Sequence, residues 1–150
     1  MITVQDTPAS SAECLPNPSE DVWFQACDWS PDGLWLIGNP LLHGGALLPE
    51  LLLWSFEESE YWSIEQARGL VARWMPDSRN LLLFDDEGHL ILVNQETGAT
   101  RDVGPIEGRG TVDKEQLGLS RDGRTALIQA DSLEANIWLL SPPDEADDPS

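Results

Sequence analysis

Histidine and cysteine, two residue types that often carry out catalysis or bind metal ions, each occur only twice in this 150-residue chain. The only histidines are His43 and His89, and their spacing matches neither a catalytic triad nor a zinc site. The stretch Gly118-Leu119-Ser120-Arg121-Asp122 approaches a nucleophile elbow, but its final glycine is absent and no helix is predicted after it. Ser120 is therefore predicted to be a turn residue. We expect no catalytic residue, no metal site and no cofactor.

Two other stretches resemble ligand-binding loops only in part. Asp85-Asp86-Glu87-Gly88 lacks the alternating ligands and the terminal Glu of a calcium loop, and apolar runs flank it on both sides. It is predicted to be a hairpin turn, with a weak cation site as the alternative. The glycine-rich stretch 104–110 fits neither the phosphate-loop nor the dinucleotide pattern, so it is predicted to be a flexible loop.

The charge of the chain excludes several classes of partner. The formal net charge is −19, and all eight basic residues follow position 67. Such a surface repels phosphate, so nucleic acid and anionic membranes are not expected as partners. Cys14 and Cys27 form no C-x-x-C pair and are expected to be structural or incidental thiols. Neither a signal peptide nor a membrane-spanning run is visible; the compartment is unknown, with the cytoplasm as the default.

One short motif recurs three times and organises the chain. Its copies begin at Trp29, Trp74 and Leu119, and both intervals are 45 residues, within the range typical of propellers and solenoids. The three copies are Trp29-Ser30-Pro31-Asp32-Gly33, Trp74-Met75-Pro76-Asp77-Ser78 and Leu119-Ser120-Arg121-Asp122-Gly123. Since Pro and Asp favour turns and Gly tolerates positive φ, each copy predicts a tight turn after a strand. The predicted structural anchors of the repeat are Trp29, Asp32, Trp74, Asp77, Leu119 and Asp122.

Short apolar runs around each turn predict four strands per unit. Continuous apolar runs of about four residues between turns are typical of strands that are buried on both faces. The first unit carries a long insertion at 39–50 and the second a long exit loop at 104–115. The third unit lacks an outer strand, and residues 2–5 are the candidate to supply one. The predicted strands are 22–29, 34–37, 51–54, 61–64, 70–74, 81–84, 90–93, 100–103, 116–119, 126–128 and 137–140.

These observations divide the chain into three parts. Residues 1–21 are rich in Pro and Ser and are predicted to be an extended N-terminal segment. Residues 22–140 contain three repeats, at about 22–66, 67–111 and 112–140. Residues 141–150 form an acidic tail that is predicted to be disordered. The predicted fold class is all-β, a propeller-type array of three antiparallel four-stranded blades with the third incomplete.

The repeats resemble a known family. The Trp-Ser-Pro-Asp-Gly turn, the apolar strand after it, a second hairpin and the dipeptide Ile137-Trp138 are similar to the WD40-like (PD40-type) repeats of bacterial TolB-like β-propellers. Gly123-Arg124-Thr125 fits the same pattern. The resemblance covers about residues 22–140 and implies a propeller fold. It also implies a role as a scaffold, a binder of envelope proteins or the substrate-gating domain of a peptidase.

Three blades are too few for a ring, since propellers have about four to eight. An open array is expected to expose apolar outer faces, with residues such as Trp35 and Trp138 in water. Alternatively, two chains pair to give a six-bladed ring, or the chain belongs to a longer propeller. Trp29 and Trp74, which occupy the same repeat position, are expected to pack between blades, and Asp28 is expected to pair with Arg73.

The function predicted from these features is protein binding by a scaffold without enzymatic activity. The partner is a protein of unknown identity, with a homodimer as one arrangement. Alternatives are the detached gating module of a serine peptidase-like enzyme and a propeller remnant without function. The long loops emerge opposite the Pro-Asp turns, which predicts a binding face there. The candidate residues of that face are His43, Asp85, Asp86, Arg109, Lys114 and Asp131.

Overall fold

The computed structural model describes residues 14–85, 87–105, 111–131 and 137–140. In these ranges the chain forms three antiparallel sheets, each built from strands that are consecutive in the sequence. The predicted fold class of all-β antiparallel sheets is confirmed. The strands are β1 (Val22–Trp29), β2 (Trp35–Leu42), β3 (Glu50–Ser55), β4 (Glu60–Arg68), β5 (Val71–Trp74), β6 (Asn80–Phe84), β7 (His89–Asn94), β8 (Thr100–Pro105), β9 (Thr111–Leu119), β10 (Ala126–Asp131) and β11 (Ile137–Leu140).

Sheet 1 contains β1 to β4 in sequence order. Gly38 allows β1 and β2 to approach closely. A Cβ at this position would collide with the carbonyl oxygen of Gln25 and would lie 2.7 Å from Cε2 of Phe24 and 2.8 Å from Cα of Ala26. A β-bulge between Ala26 and Asp28 shifts the register of this pair. Glycine at position 38 is therefore a requirement of the β1–β2 pairing.

The predicted insertion at 39–50 is wrong in extent. β2 does not end at residue 37 but continues to Leu42, which pairs with Val22 at the start of β1. The strand runs further than the apolar pattern indicated because its pairing with β1 continues through Gly38, Asn39 and Pro40. The irregular connection between β2 and β3 is consequently limited to residues 43–49.

Sheets 2 and 3 follow the same strand order. Sheet 2 contains β5 to β8, and sheet 3 contains β9, β10 and β11 within the residues that the structure describes. The predicted exit loop at 104–115 is shorter than expected, because β8 continues to Pro105 and β9 already begins at Thr111. Residues 2–5, the candidate outer strand of sheet 3, and the acidic tail 141–150 lie outside the described residues.

The sheets pack face to face around two apolar clusters. The cluster between sheets 1 and 2 includes Ile37, Leu51, Leu53 and Ile64 from sheet 1, and Trp74, Leu81, Leu83 and Val93 from sheet 2. The cluster between sheets 2 and 3 includes Val71, Leu82, Phe84 and Leu90 from sheet 2, and Leu117, Ala126 and Ile128 from sheet 3. Sheet 2 is thus covered on both faces, which is why its strands are continuous apolar runs.

Two expectations about tryptophan are wrong. Trp35 does not lie on an outer face but packs against the cluster between sheets 1 and 2, because it points to the same side of β2 as Ile37. Trp74 is 4% exposed, as expected, whereas Trp29 at the same repeat position is 49% exposed and stacks on Phe56 at a ring distance of 5.0 Å. The side chain of Trp138 lies outside the described part of the chain.

A buried amide joins sheet 1 to the connection leading into sheet 2. Asn39 is 1% exposed, and its Nδ2 atom donates to the carbonyl oxygens of Glu50 and Gly69 at 2.8 Å each and of Leu48 at 3.2 Å. Buried carbonyl groups need such partners. The side chain therefore fixes the β2–β3 connection against the residues that lead into β5.

Residues 14–18 lie against the outer face of sheet 1. The Tyr61 hydroxyl on β4 donates to the carbonyl oxygen of Pro16 at 2.8 Å, and Ser19 forms an isolated bridge with Val22. Partial burial raises the pKa of the Tyr61 phenol. Tyr61 also contacts Trp54 and Phe24, at ring distances of 4.8 and 5.1 Å. We refer to residues 14–18 as the strap.

Candidate functional site at the turn end of sheets 1 and 2

The three recurring motifs form the same backbone turn. In the first, Gly33 has a φ of 79° and its amide donates to the carbonyl oxygen of Ser30 at 2.9 Å; Gly123 repeats this with Ser120, at a φ of 70°. The Ser30 hydroxyl donates to Asp32 at 2.6 Å, and the Ser120 hydroxyl donates to Asp122 at 2.7 Å. Ser120 is therefore a turn residue, as predicted, and its hydrogen bond lowers the pKa of Asp122.

The middle turn replaces both flanking residues. Met75 stands where the other turns have serine, and Ser78, with a φ of 55°, stands where they have glycine. Positive φ is unfavourable for a serine. The exchange provides a link between sheets, because the Ser78 hydroxyl accepts a hydrogen bond from the Asp32 amide at 3.0 Å.

A groove of about 800 Å³ opens beside this link, between sheets 1 and 2. Its floor consists of Trp35, Leu53 and Ile64, and the exposed side chains of Leu34 and Trp62 stand at its sides. The Pro-Asp turns of both sheets, the β3–β4 turn and the β7–β8 turn form its rim. We call this cavity the turn-end groove.

The rim of the turn-end groove is strongly acidic. Among the described residues that line it, Arg79 carries the single guanidinium. Partial burial acts to raise the pKa of Asp77, but hydrogen bonds from the Arg79 and Asn80 amides and the Asn80 side chain hold it below its ordinary value. The groove therefore presents carboxylates beside two exposed apolar side chains. The five acidic residues that line it are Asp32, Glu57, Glu58, Asp77 and Glu96.

A second cavity, of about 540 Å³, lies where the ends of β1, β5 and β9 converge. Arg73 and Arg121 line it, together with Asp28 and Trp74. The predicted ion pair between Asp28 and Arg73 does not form. The Asp28 carboxylate instead accepts from the Trp74 amide at 2.8 Å, and Arg73 donates to the carbonyl oxygen of Cys27 at 3.0 Å. Both hydrogen bonds join sheet 1 to sheet 2.

The described residues of the predicted binding face do not line the turn-end groove. His43 is exposed in the β2–β3 connection and contacts Trp23 edge-on at 5.1 Å, and Asp85 follows β6. Lys114 is on β9 and Asp131 ends β10. Asp86 and Arg109 lie outside the described residues. Their role in binding stays a prediction.

Asp85 stabilises a hairpin turn, as predicted. Its carboxylate accepts hydrogen bonds from the amides of Glu87 at 2.9 Å and His89 at 2.8 Å. His89 Nδ1 lies 2.8 Å from the Asp102 carboxylate on β8. That hydrogen bond raises the pKa of His89 and lowers the pKa of Asp102. The pair joins β7 to β8 across the sheet edge.

Both cysteines are free thiols. Cys14 is exposed in the strap, and Cys27 is half-buried on β1 with its Sγ atom 3.5 Å from Oδ1 of Asn39. Burial raises the pKa of the Cys27 thiol. In the described ranges, no three His, Cys, Asp or Glu side chains are grouped so that they could hold a metal ion. Within the same ranges, no helix has the length and apolarity needed to cross a membrane.

Comparison with known proteins identifies the fold but no family. No protein-family model and no curated protein match the sequence. Among solved structures, an oligogalacturonate lyase in complex with manganese is similar, with a TM-score of 0.56 and 18% identity over 84% of this chain. The oligogalacturonate lyase of Vibrio parahaemolyticus gives a TM-score of 0.55 and 12% identity over the same 84%. The chain spans about 37% of the length of each lyase.

These matches support a β-propeller-like fold and require one correction. The prediction that the chain has no enzymatic activity is contradicted, because both matched proteins are enzymes. At 18% and 12% identity the likeness carries the fold alone. No match confirms the TolB-type repeat family.

No motif in the sequence predicted the turn-end groove. Its acidic residues are distributed over turns of two different repeats, so no local motif contains them. One signal was nevertheless present in the sequence. The β3–β4 turn of the first repeat and the β7–β8 turn of the second both carry glutamate, at Glu57, Glu58 and Glu96.

Proposed function

We propose that the three sheets are blades of a propeller-type array, the third with three strands, and that the array binds a protein partner through the turn-end groove. The common turn geometry of the three motifs and the propeller-like matches support the blade assignment. We further assign the repeats to the TolB-like type, on the strength of the Trp29-Ser30-Pro31-Asp32-Gly33 turn and its two copies.

The observation that carries this proposal is the chemistry of the turn-end groove. Among the described lining residues, five carboxylates face one guanidinium around an apolar floor, and the exposed indole of Trp62 stands at the side. Carboxylates attract Lys and Arg side chains, and an exposed indole face binds cations with about 0.5–1 kcal/mol. The partner that fits is an extended segment with basic residues and apolar residues between them.

Calorimetric titration with an arginine-rich peptide that contains leucine tests the proposal. The double variant Glu57→Gln/Glu58→Gln should bind the peptide about 2- to 30-fold more weakly, since each of the two surface charge pairs contributes about 0.2–1 kcal/mol. The matched control is Glu65→Gln/Glu87→Gln, which removes the same charge from exposed positions outside the groove. If both double variants lose affinity equally, the peptide is held by overall charge and the groove is not the site.

Trp62→Ala gives a second reading of the same site. The side chain is half-exposed, so its loss should leave the fold intact while weakening the peptide about 2- to 5-fold through the lost cation–π contact. A peptide in which lysine replaces arginine should bind the parent protein similarly, because both cations interact with an indole face. If the Trp62→Ala variant bound the peptide with unchanged affinity, the Trp62 side of the turn-end groove would not be part of the binding site.

The cavity at the ends of β1, β5 and β9 supports a second candidate function, the binding of an acidic sugar. Arg73 and Arg121 line it, and guanidinium groups bind carboxylates in paired hydrogen bonds. The matched proteins are named as lyases of oligogalacturonate, which is itself a carboxylate-bearing sugar. Titration with digalacturonate tests this candidate: binding that Arg121→Ala weakens supports it, and no detectable heat excludes it.

A further inference from the structure

The repeat places equivalent residue pairs on the inner hairpin of every sheet. In each hairpin the first residue of the turn motif pairs across the two strands with the residue seven positions later. Since paired residues in an antiparallel sheet point to the same side, each pair marks one face of its sheet. We call this the rear face and the opposite one the forward face. The three pairs are Trp29 with Leu36, Trp74 with Leu81 and Leu119 with Ala126.

In sheets 2 and 3 the rear face packs on the preceding sheet. Trp74 and Leu81 lie in the cluster shared with sheet 1, and Ala126 lies in the cluster shared with sheet 2, with Leu119 packed against it. In the described part of the chain, sheet 1 has no sheet before it. Trp29 is accordingly 49% exposed, whereas Trp74 is 4% exposed.

The forward faces show the complementary pattern. Ile37, Leu82 and Leu127 follow the rear-face residues of β2, β6 and β10 by one position and are therefore equivalent to one another. Ile37 is 0% exposed against sheet 2 and Leu82 is 5% exposed against sheet 3. Leu127, on the last sheet, is 46% exposed. Within the described residues, the first and third sheets thus expose the two halves of an interface that the sheets form twice with one another.

We propose that the forward face of sheet 3 in a second copy of this chain docks on the rear face of sheet 1. The contact would repeat the packing of sheet 1 on sheet 2 and of sheet 2 on sheet 3. Charge favours the same pairing: residues 14–67 contain no lysine or arginine, whereas the β9–β10 turn carries exposed Arg121 and Arg124. Two such contacts between two chains close a ring of six sheets, the condition for a finite assembly.

One buried group on the rear face of sheet 1 lacks a partner. Trp54 pairs with both Leu36 and Tyr61 across the sheet, so it lies on the rear face, and its Nε1 atom is buried without a hydrogen bond. An unsatisfied buried N–H is unfavourable. The rear face of sheet 2 likewise buries an indole nitrogen without a partner, Nε1 of Trp74, so the two rear faces share this feature.

The strap covers part of this surface. Its hydrogen bond to Tyr61 secures it over the β3–β4 half, while Trp29 on β1 and Phe56 in the β3–β4 turn stay exposed. A docked sheet 3 needs the space that the strap occupies, so strap and second copy compete. Tyr61→Phe removes the hydrogen bond to Pro16 and should tighten association about 2- to 10-fold, the range expected for one hydrogen bond.

Light scattering after size exclusion tests the docking. The parent chain should give a mass near twice 16.6 kDa. Leu127→Asp and Trp29→Asp each place a charge in the proposed contact and should reduce the mass to that of one chain. Both residues are exposed, so neither change should disturb the fold. The matched control Val103→Asp, at an exposed residue of β8, should remain paired.

Mixing the two variants separates this interface from any other. The Leu127→Asp chain keeps an intact rear face on sheet 1, and the Trp29→Asp chain keeps an intact forward face on sheet 3. An equimolar mixture should regain the two-chain mass through one undamaged contact. A parent protein that stays at 16.6 kDa, or a mixture that stays at 16.6 kDa, overturns the proposal. The result is independent of peptide binding, because the turn-end groove lies on the forward face of sheet 1.

Discussion

Replacing Asn39 by alanine is expected to destabilise the chain by about 2–6 kcal/mol. The two hydrogens of its amide nitrogen serve three carbonyl groups, of which those of Glu50 and Gly69 lie at 2.8 Å and that of Leu48 at 3.2 Å. Removing them breaks two short hydrogen bonds, each worth about 0.5–1.5 kcal/mol net, and leaves buried oxygens unpaired at a further cost of about 1–3 kcal/mol.

Urea unfolding followed by tryptophan fluorescence measures this loss. With an m-value of about 2 kcal/mol/M, a change of about 3 kcal/mol moves the midpoint by about 1.5 M. Asn17→Ala, at an exposed position in the strap, is the matched control and should leave the midpoint unchanged. Asn39→Asp keeps the side-chain volume but directs an acceptor at three acceptors, so it should destabilise at least as strongly at neutral pH.

An Asn39→Ala unfolding midpoint within about 0.25 M urea of the parent value would contradict this expectation. It would correspond to a change of only about 0.5 kcal/mol in unfolding free energy at the same m-value. Such a result would mean that water or a small backbone shift satisfies the carbonyl groups of Glu50 and Gly69. Hydrogen exchange at residues 43–50 would then distinguish the two, because a shifted connection exchanges faster.

Three further changes test other parts of the structure. Gly38→Ala should unfold sheet 1 or lower its stability severely, because a Cβ meets the backbone of β1, whereas Gly44→Ala, with no atom within 4 Å, should be neutral in the same urea assay. Asp28→Ala removes a charged acceptor from the β5 amide and should cost about 1.5–3 kcal/mol by urea unfolding. Asp102→Asn should lower the pKa of His89, measured by NMR titration, because the hydrogen bond to Asp102 holds that pKa above 6.5. The pair favours folding while His89 is protonated and Asp102 is ionised. Its contribution is lost as pH rises through the His89 pKa, which lies above 6.5, and as pH falls through the Asp102 pKa, which lies below 3.8.

The strand positions could be predicted because turn motifs and short apolar runs mark them in the sequence. A turn motif precedes the second strand of each sheet. The observed ends of β1 and β11 agree with the predicted ends. The lengths were less predictable. β4 continues to Arg68, which pairs with Glu50 on β3, and polar residues of this kind carry no apolar signal. Pairing with a neighbouring strand decides such ends, and it depends on residues far away in the sequence.

The candidate site was less accessible to sequence reasoning than the fold. Trp29 and Trp74 occupy one repeat position, which predicted equal burial, yet in the described part of the chain only Trp74 has another sheet packed against its face. The turn-end groove likewise depends on turns from two repeats that approach only after the sheets have packed. A periodic sequence reveals what each repeat contains, whereas exposure depends on which repeats have neighbours.

The serial packing of the sheets has a consequence for how the chain folds. The inner strand β5 contacts both β1 and β9, while sheets 1 and 3 each bury one face against sheet 2. Stability in such a linear array is a sum of unit and nearest-neighbour terms. Sheet 2 should thus be the last to open and its amides the slowest to exchange with solvent. Repeats could therefore be added or removed at either end of the array without repacking sheet 2.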